Sequence, residues 1–340
     1  MRKREMVCIL IAIAIFSSVF ISPLFFRIPN SLEREETILP SNGNKNEDYT
    51  LRIYQTNDID IYVEDADIFG SVFIGAQSIV KFRNVVFSGD DQELIIEDDA
   101  VVYFENVEFS ESIAIQVLDD AEAYFSNVEF MNTVNINTTG SAHLLLDSST
   151  LNMTIMYLKD YSSMTIENSN IVENINVVCT EYSVIEFMDI DQTMAASYIT
   201  LYNSTSLSML NFTTNELIVT LVDHATASLT NVTGVSQSQI HLYDYSTAYI
   251  VFSNITQVFT YLATFCNFMG PPYGSSVIVT NSTVYSMLVY SIATSYIYGS
   301  NIDFVENVSV FEGNVVMTGD VISSSDVNTS NIIWDQFTTV

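Results

Sequence analysis

The stretch DDAEAYFSNVEF, residues 119 to 130, decides how this chain folds. Ala121, Ala123 and Phe125 alternate with Glu122, Tyr124 and Ser126, and a period of two is that of a strand with one buried face. At Asn127 the alternation changes phase, because Val128 continues the apolar series. Outward from this segment the same arrangement returns about every 21 residues, with reference positions at Asn84, Asn106, Asn127, Ser148, Asn168, Asp189, Asn211, Asn231, Phe252, Asn281 and Asn301. Six residues before each stands a small residue, from Ser78, Ala100 and Ala121 to Ser275 and Ser295. Two residues before each stands a large apolar one, such as Phe82, Phe104, Phe125, Leu146, Ile166 and Phe187, with Gly299 the exception. Units of this length cannot bury a face alone, so neighbouring units must supply each other's core, as in a solenoid.

A second short run rich in Ile and Val lies upstream in each unit, as in ELIIEDD, AIQVLDD, INVVCTE and LIVTLVD. Each unit therefore holds two or three short strands and no stretch long enough for a helix. Leucine-rich repeats overlap this period but need a regular Leu framework, whereas here Phe, Val, Ile and Met interchange. The expected fold is all-β: one parallel β-helix of about eleven coils of ~21 residues, stacked at the inter-strand spacing of about 4.8 Å. The recurring Asn is expected at an inward-facing corner, where stacked amides bond one another and satisfy buried turn groups.

On these coils the chain resembles the right-handed parallel β-helix, or pectin-lyase-like, superfamily; SMTIENSNI, residues 163 to 171, is typical, and the resemblance covers roughly residues 72–311. It implies a fold and leaves function open, because that architecture carries lyases, hydrolases, adhesins and autotransported surface proteins alike. Members that cleave acidic polysaccharides use Arg or Lys against uronate carboxylates. The Gly-His-Gly and Arg-x-Lys elements of polygalacturonase-like members are absent, and Lys81-x-Arg83 has the reverse order.

Residues 1–6 form a basic tip, and 7–26 carry no charge. Twenty apolar residues can cross a bilayer as a helix, and the basic tip favours export of the chain beyond them. The expected organisation is a signal anchor or signal peptide over 7–26, a flexible linker over 27–50, an N-terminal cap over 51–71, the β-helix over 72–311 and a C-terminal cap over 312–340. This places the protein at the cell surface, or secreted if the segment is cleaved. Cys179 and Cys266 lie about four coils apart, beyond disulfide reach, and are expected to be buried as small apolar residues. Sequons occur at Asn137, Asn152, Asn203, Asn211, Asn231, Asn254, Asn281, Asn307 and Asn328, with Asn211, Asn231 and Asn281 expected to point inward.

Net charge is −31, and from Asn84 to the end there are thirty acidic residues, no Arg and one Lys, Lys159. Direct binding of nucleic acid or an anionic membrane surface by the coils is excluded, since both need clustered cations. Eight residues before the reference positions stand Asp98, Asp119, Gly140, Asp160, Glu181, Asn203, Asp223 and Asp244. Turn chemistry explains such a row, because Asp and Asn favour tight turns. The doubled Asp98-Asp99 and Asp119-Asp120 are also candidate calcium ligands, since oxygen donors suit that cation, and the same pairs could imitate the paired acids of glycoside hydrolysis.

The adjacent row reads Asp99, Asp120, Ser141, Tyr161, Tyr182, Ser204, His224 and Tyr245. Asp160, Tyr161, Glu181, Tyr182, Asp244 and Tyr245 are candidate glycan contacts, aromatic faces for sugar rings and carboxylates for hydroxyls. A stacked ladder that only stabilises turns is the competing reading, and His224 reads as incidental. Between Phe252 and Asn281 the repeat lengthens and contains FCNFMGPPYGS. Met269, Pro271, Pro272 and Tyr273 are expected to project as a contact loop, because such a segment cannot continue a central strand. The function expected is a non-enzymatic adhesion or recognition module binding glycan or a cell-surface protein. A structural envelope component and a polysaccharide-degrading enzyme are the alternatives.

Overall fold

The computed structural model describes residues 9–10, 50–55, 60–89, 92–260 and 276–280, and the strand backbone of 283–289, 294–298, 301–307, 314–318, 321–322, 327–328 and 332–335. Between Asp119 and Phe130 the chain turns at Asp119 and Asp120, runs as strand Glu122–Ser126, bends at Asn127 and continues as strand Glu129–Phe130. The Ile/Val run upstream forms a third strand, Ile113–Val117. Each coil thus has three sides, and every strand pairs in parallel with its counterpart in the next coil. The result is an all-β parallel solenoid of about ten turns of ~21 residues, compatible with a pectin-lyase-like β-helix. No helix occurs among the described residues.

The chain divides into two compact units, 1–155 and 156–340. In the first, the register aligns like with like: Leu94, Ile115 and Ile136 on the first side, Phe104, Phe125 and Leu146 on the second, Phe87, Phe109 and Phe130 on the third. The phenyl rings stack down the interior, Phe82 on Phe104 at 5.1 Å and Phe104 on Phe125 at 4.5 Å. A second stack, Phe87 on Phe109 on Phe130, stands beside it. The stretch read from sequence as an N-terminal cap already carries strands Thr50–Gln55, Asp60–Glu64 and Asp67–Phe69, in register with the coil beyond them.

In the second unit the same column runs through Phe187, Met209, Leu229, Ile250 and Val279. Strand Ser276–Thr280 pairs directly with Thr247–Val251, so the long interval leaves the ladder unbroken. Its insertion, including Met269, Pro271, Pro272 and Tyr273, lies outside the described residues. So do Cys266, Asn281 and, apart from 9–10, the segment 7–26. The backbone of 312–340 continues the pairing, with Asn314–Thr318 on Thr294–Tyr298 and Ile332–Asp335 on Val315–Thr318.

Two of the three corners of each coil differ in chemistry. The small residues Ser78, Ala100, Ala121, Ala142, Ser162 and Ser183 are fully buried at the corner between the first and second sides. The recurring Asn does not point inward as expected. Asn84, Asn106, Asn127, Asn168, Asn211 and Asn231 are exposed and adopt positive φ, between 50° and 55°. The phase change is made by two consecutive outward residues, Ser126 and Asn127, between buried Phe125 and Val128. Asn is the side chain that tolerates this left-handed backbone best after Gly. The expected amide ladder does form, on the outside: Asn127 donates to Asn106 at 2.7 Å, Asn231 to Asn211 at 2.9 Å and Asn211 to Asp189 at 2.7 Å. The sequon residues Asn211 and Asn231 are therefore at the surface, with their amides engaged in that ladder.

Asn127→Ala is expected to lower stability by about 1–2 kcal/mol, the sum of left-handed strain and a lost ladder bond. Asn127→Gly should cost less than half of that, because it relieves the strain. Urea unfolding of the pair checks both, and equal losses would show that strain at this corner is negligible.

Candidate functional site

The turn joining the first and second sides carries the acidic row, and its backbone explains the residues found there. Asp98, Asp119, Asp160, Glu181, Asn203, Asp223 and Asp244 all have φ between 59° and 66°, and Gly140 has 76°. Asp and Asn tolerate this conformation and bond nearby backbone; Asp98 Oδ2, for instance, accepts from the Ala76 N–H at 2.8 Å. Asp98, Asp99, Asp119 and Asp120 stand together on neighbouring turns, all exposed. Among the described residues no three His, Cys, Asp or Glu side chains converge as a metal-holding group.

The residue after each acid projects into solvent, and in the second unit these residues build a broken aromatic ladder. Tyr161 stacks on Tyr182 at 5.1 Å with the rings 5° apart, and His224 stacks on Tyr245 at 5.1 Å and 18°. Tyr161 and Tyr182 are 67% and 55% exposed, so their rings gain little from burial and keep free faces and edges. Between the two stacks comes Ser204, in the same register, three residues after Leu201 as Tyr182 is after Cys179 and His224 after Leu221. One rung is missing. Its place is an open cleft of about 460 Å³ lined by Glu181, Tyr182, Asn203, Ser204, Asp223 and His224.

Of the residues expected to meet a glycan, the structure joins Tyr161 to Tyr182, and Asp160 to Glu181. It sets Tyr245 and Asp244 on the far side of the gap, beyond His224. His224, read from sequence as incidental, is the far wall. The gap itself was visible as a serine within an aromatic row, but only the stacking of the rows on either side makes it a candidate site. The Asp160 carboxyl, hydrogen-bonded to Glu181, pushes the Glu181 carboxyl above its usual range, while Lys159, with Nζ 3.9 Å from Oε1, pulls it back.

A second aromatic strip, missed in the sequence, lies on the outer second side of the first unit. Lys81 sits 5.1 Å from the Tyr62 ring and 5.6 Å from the Tyr103 ring, and Tyr103 stacks on Tyr124 at 5.0 Å. Residues at constant register on successive coils, 62, 81, 103 and 124, were the available signal. Both cations here are engaged: Lys81 with Asp60 at 2.9 Å, which holds the lysine up and the aspartate down, and Arg83 with Glu105 at 2.7 Å. The cleft they line, about 280 Å³, thus offers an incoming anion no uncommitted charge. Comparison with protein-family models, with curated proteins and with solved structures returns no match to this chain.

Proposed function

We propose that this protein is a non-enzymatic recognition module, held outside the cell by its N-terminal apolar segment, and that it binds glycan at the break in the Tyr161–Tyr182 and His224–Tyr245 ladder. The observation that carries this reading is the missing rung. Tyr182 and His224 stand two coil steps apart, roughly 9.5 Å at about 4.8 Å per step. A ring centred there would lie about 4.7 Å from each wall, close to the 5.1 Å of the flanking stacks. A pyranose chair, with axial hydrogens on both faces, fills a gap of that width. Its hydroxyls meet the Asn203 amide and the Glu181 and Asp223 carboxylates at the rim, groups able to donate and accept. A pectin-lyase-like ancestry of the non-catalytic, surface-exposed type is in keeping with this reading, because the basic residues of the pectin-cleaving members are missing.

The test is retention of the full chain, in detergent and millimolar calcium, on a panel of immobilised glycans, with released sugar measured alongside. Retention without release, abolished by Ser204→Tyr, is the expected result. Released sugar would instead make the protein an enzyme. Retention unaffected by Ser204→Tyr would move the binding surface elsewhere, and ordered self-assembly with no retention would favour a structural envelope component.

A further inference from the structure

We infer that the ligand of the cleft is a cationic amino sugar, one pyranose ring with a free ammonium group standing in for the missing rung, its ammonium against the Asp223 carboxylate. This rests on the reading of the cleft as a glycan site and adds the charge of the sugar. The rim carries Glu181 on one side and Asp223 on the other, with the neutral Asn203 between them. From Asn84 to the end Lys159 is the single lysine and there is no arginine, and Lys159 lies beside Glu181. A uronic or sialic acid would bring its carboxylate between two others with no cation to receive it.

The two rim carboxylates are not equivalent. Glu181 stands beside the Asp160 carboxyl and faces Lys159 Nζ at 3.9 Å. Asp223 takes part in no side-chain hydrogen bond or ion pair among the described residues, and neither does the Asn203 amide. Asp223 is therefore the carboxylate open to an ammonium group. A quaternary ammonium ligand would suit rings on several sides of it, whereas two walls and an open rim suit a disc with its charge at the edge.

Calorimetric titration of the detergent-solubilised full chain at low ionic strength, with a β-linked glucosamine oligosaccharide and its N-acetylated counterpart of equal length, tests this. The free amine should bind about fivefold tighter or more, with the advantage shrinking as salt screens it. Asp223→Asn should reduce the preference below about twofold, because the free amine loses more affinity than the N-acetylated sugar does. Ser204→Tyr, which completes a five-ring ladder, should abolish both affinities with no loss of thermal stability, separating a blocked site from a misfolded protein. Equal or tighter binding of the N-acetylated sugar, or a preference that survives Asp223→Asn, overturns the amino-sugar inference. If Ser204→Tyr still abolished binding in that case, the glycan cleft would stand. Failure of both sugars to bind, or binding that survives Ser204→Tyr, overturns the inference and the cleft together.

Discussion

Phe104→Ala should lower the free energy of unfolding by about 4 kcal/mol, within the 3–5 kcal/mol range of fully buried Phe truncations. Phe104 is 1% exposed. Its ring lies between Phe82 at 5.1 Å and Phe125 at 4.5 Å, and meets Phe109 obliquely at 6.1 Å. In a solenoid each coil is held mainly by its two neighbours, so the cavity weakens both interfaces of one coil at once. Denaturant unfolding is expected to show a lower midpoint, and a broadened transition if the coils on either side of Phe104 begin to unfold separately. Phe104→Leu keeps most of the volume and should cost less than half as much. Were Phe104→Ala to cost under about 1.5 kcal/mol, the two phenyl stacks could not be the central support of the first unit.

The role of Phe104 is legible in the amino-acid sequence, and that of Asn127 only half so. The column of large residues two places before each Asn has period-two neighbours and so must face inward, and the structure places Phe82, Phe104, Phe125 and Leu146 there in one register. The Asn itself marks a change of phase, and a phase change can be made by two successive inward or two successive outward residues. The pattern cannot distinguish these. Backbone conformation does, because φ near 53° at Asn127 carries its side chain out. The candidate site was similarly half visible. Residue spacing placed Tyr161 beside Tyr182, but a serine in an aromatic row reads as a lapse until both flanking stacks are seen to leave a ring-sized space at Ser204. Lys81 between Tyr62 and Tyr103 was missed because outward positions are free of the burial constraint that makes the inward column so regular.

Cys179 carries the second large expectation. It ends strand Ile175–Cys179 and is fully buried, and burial pushes its thiol up to about 12, with a hydrogen bond from Ser183 opposing the shift. An ordinary thiol near 8.5 is about one-quarter ionised at pH 8, whereas one near 12 is ionised in about one molecule in 10⁴. In a Cys8→Ser/Cys266→Ser background, labelling of Cys179 by a disulfide reagent at pH 8 should therefore be slowed at least about 10³-fold relative to the unfolded chain. The same shift ties stability to pH. The folded thiol titrates above the unfolded one, so its contribution is intact below about pH 8.5 and is lost as pH rises toward 12, by up to about 1.4 kcal/mol per pH unit. Tyr124, held up to about 12 by its bond to Glu122, weakens the fold in the same direction, so the thiol is isolated by difference. Cys179→Ala should unfold with a shallower alkaline slope than its parent between pH 9 and 10.5. Rapid labelling of the folded protein would mean that strand 175–179 has slipped by one residue, turning Cys179 outward and Val178 inward. The register linking Cys179 to Leu201 positions Tyr182 relative to Ser204, so that slip would remove the missing rung as well.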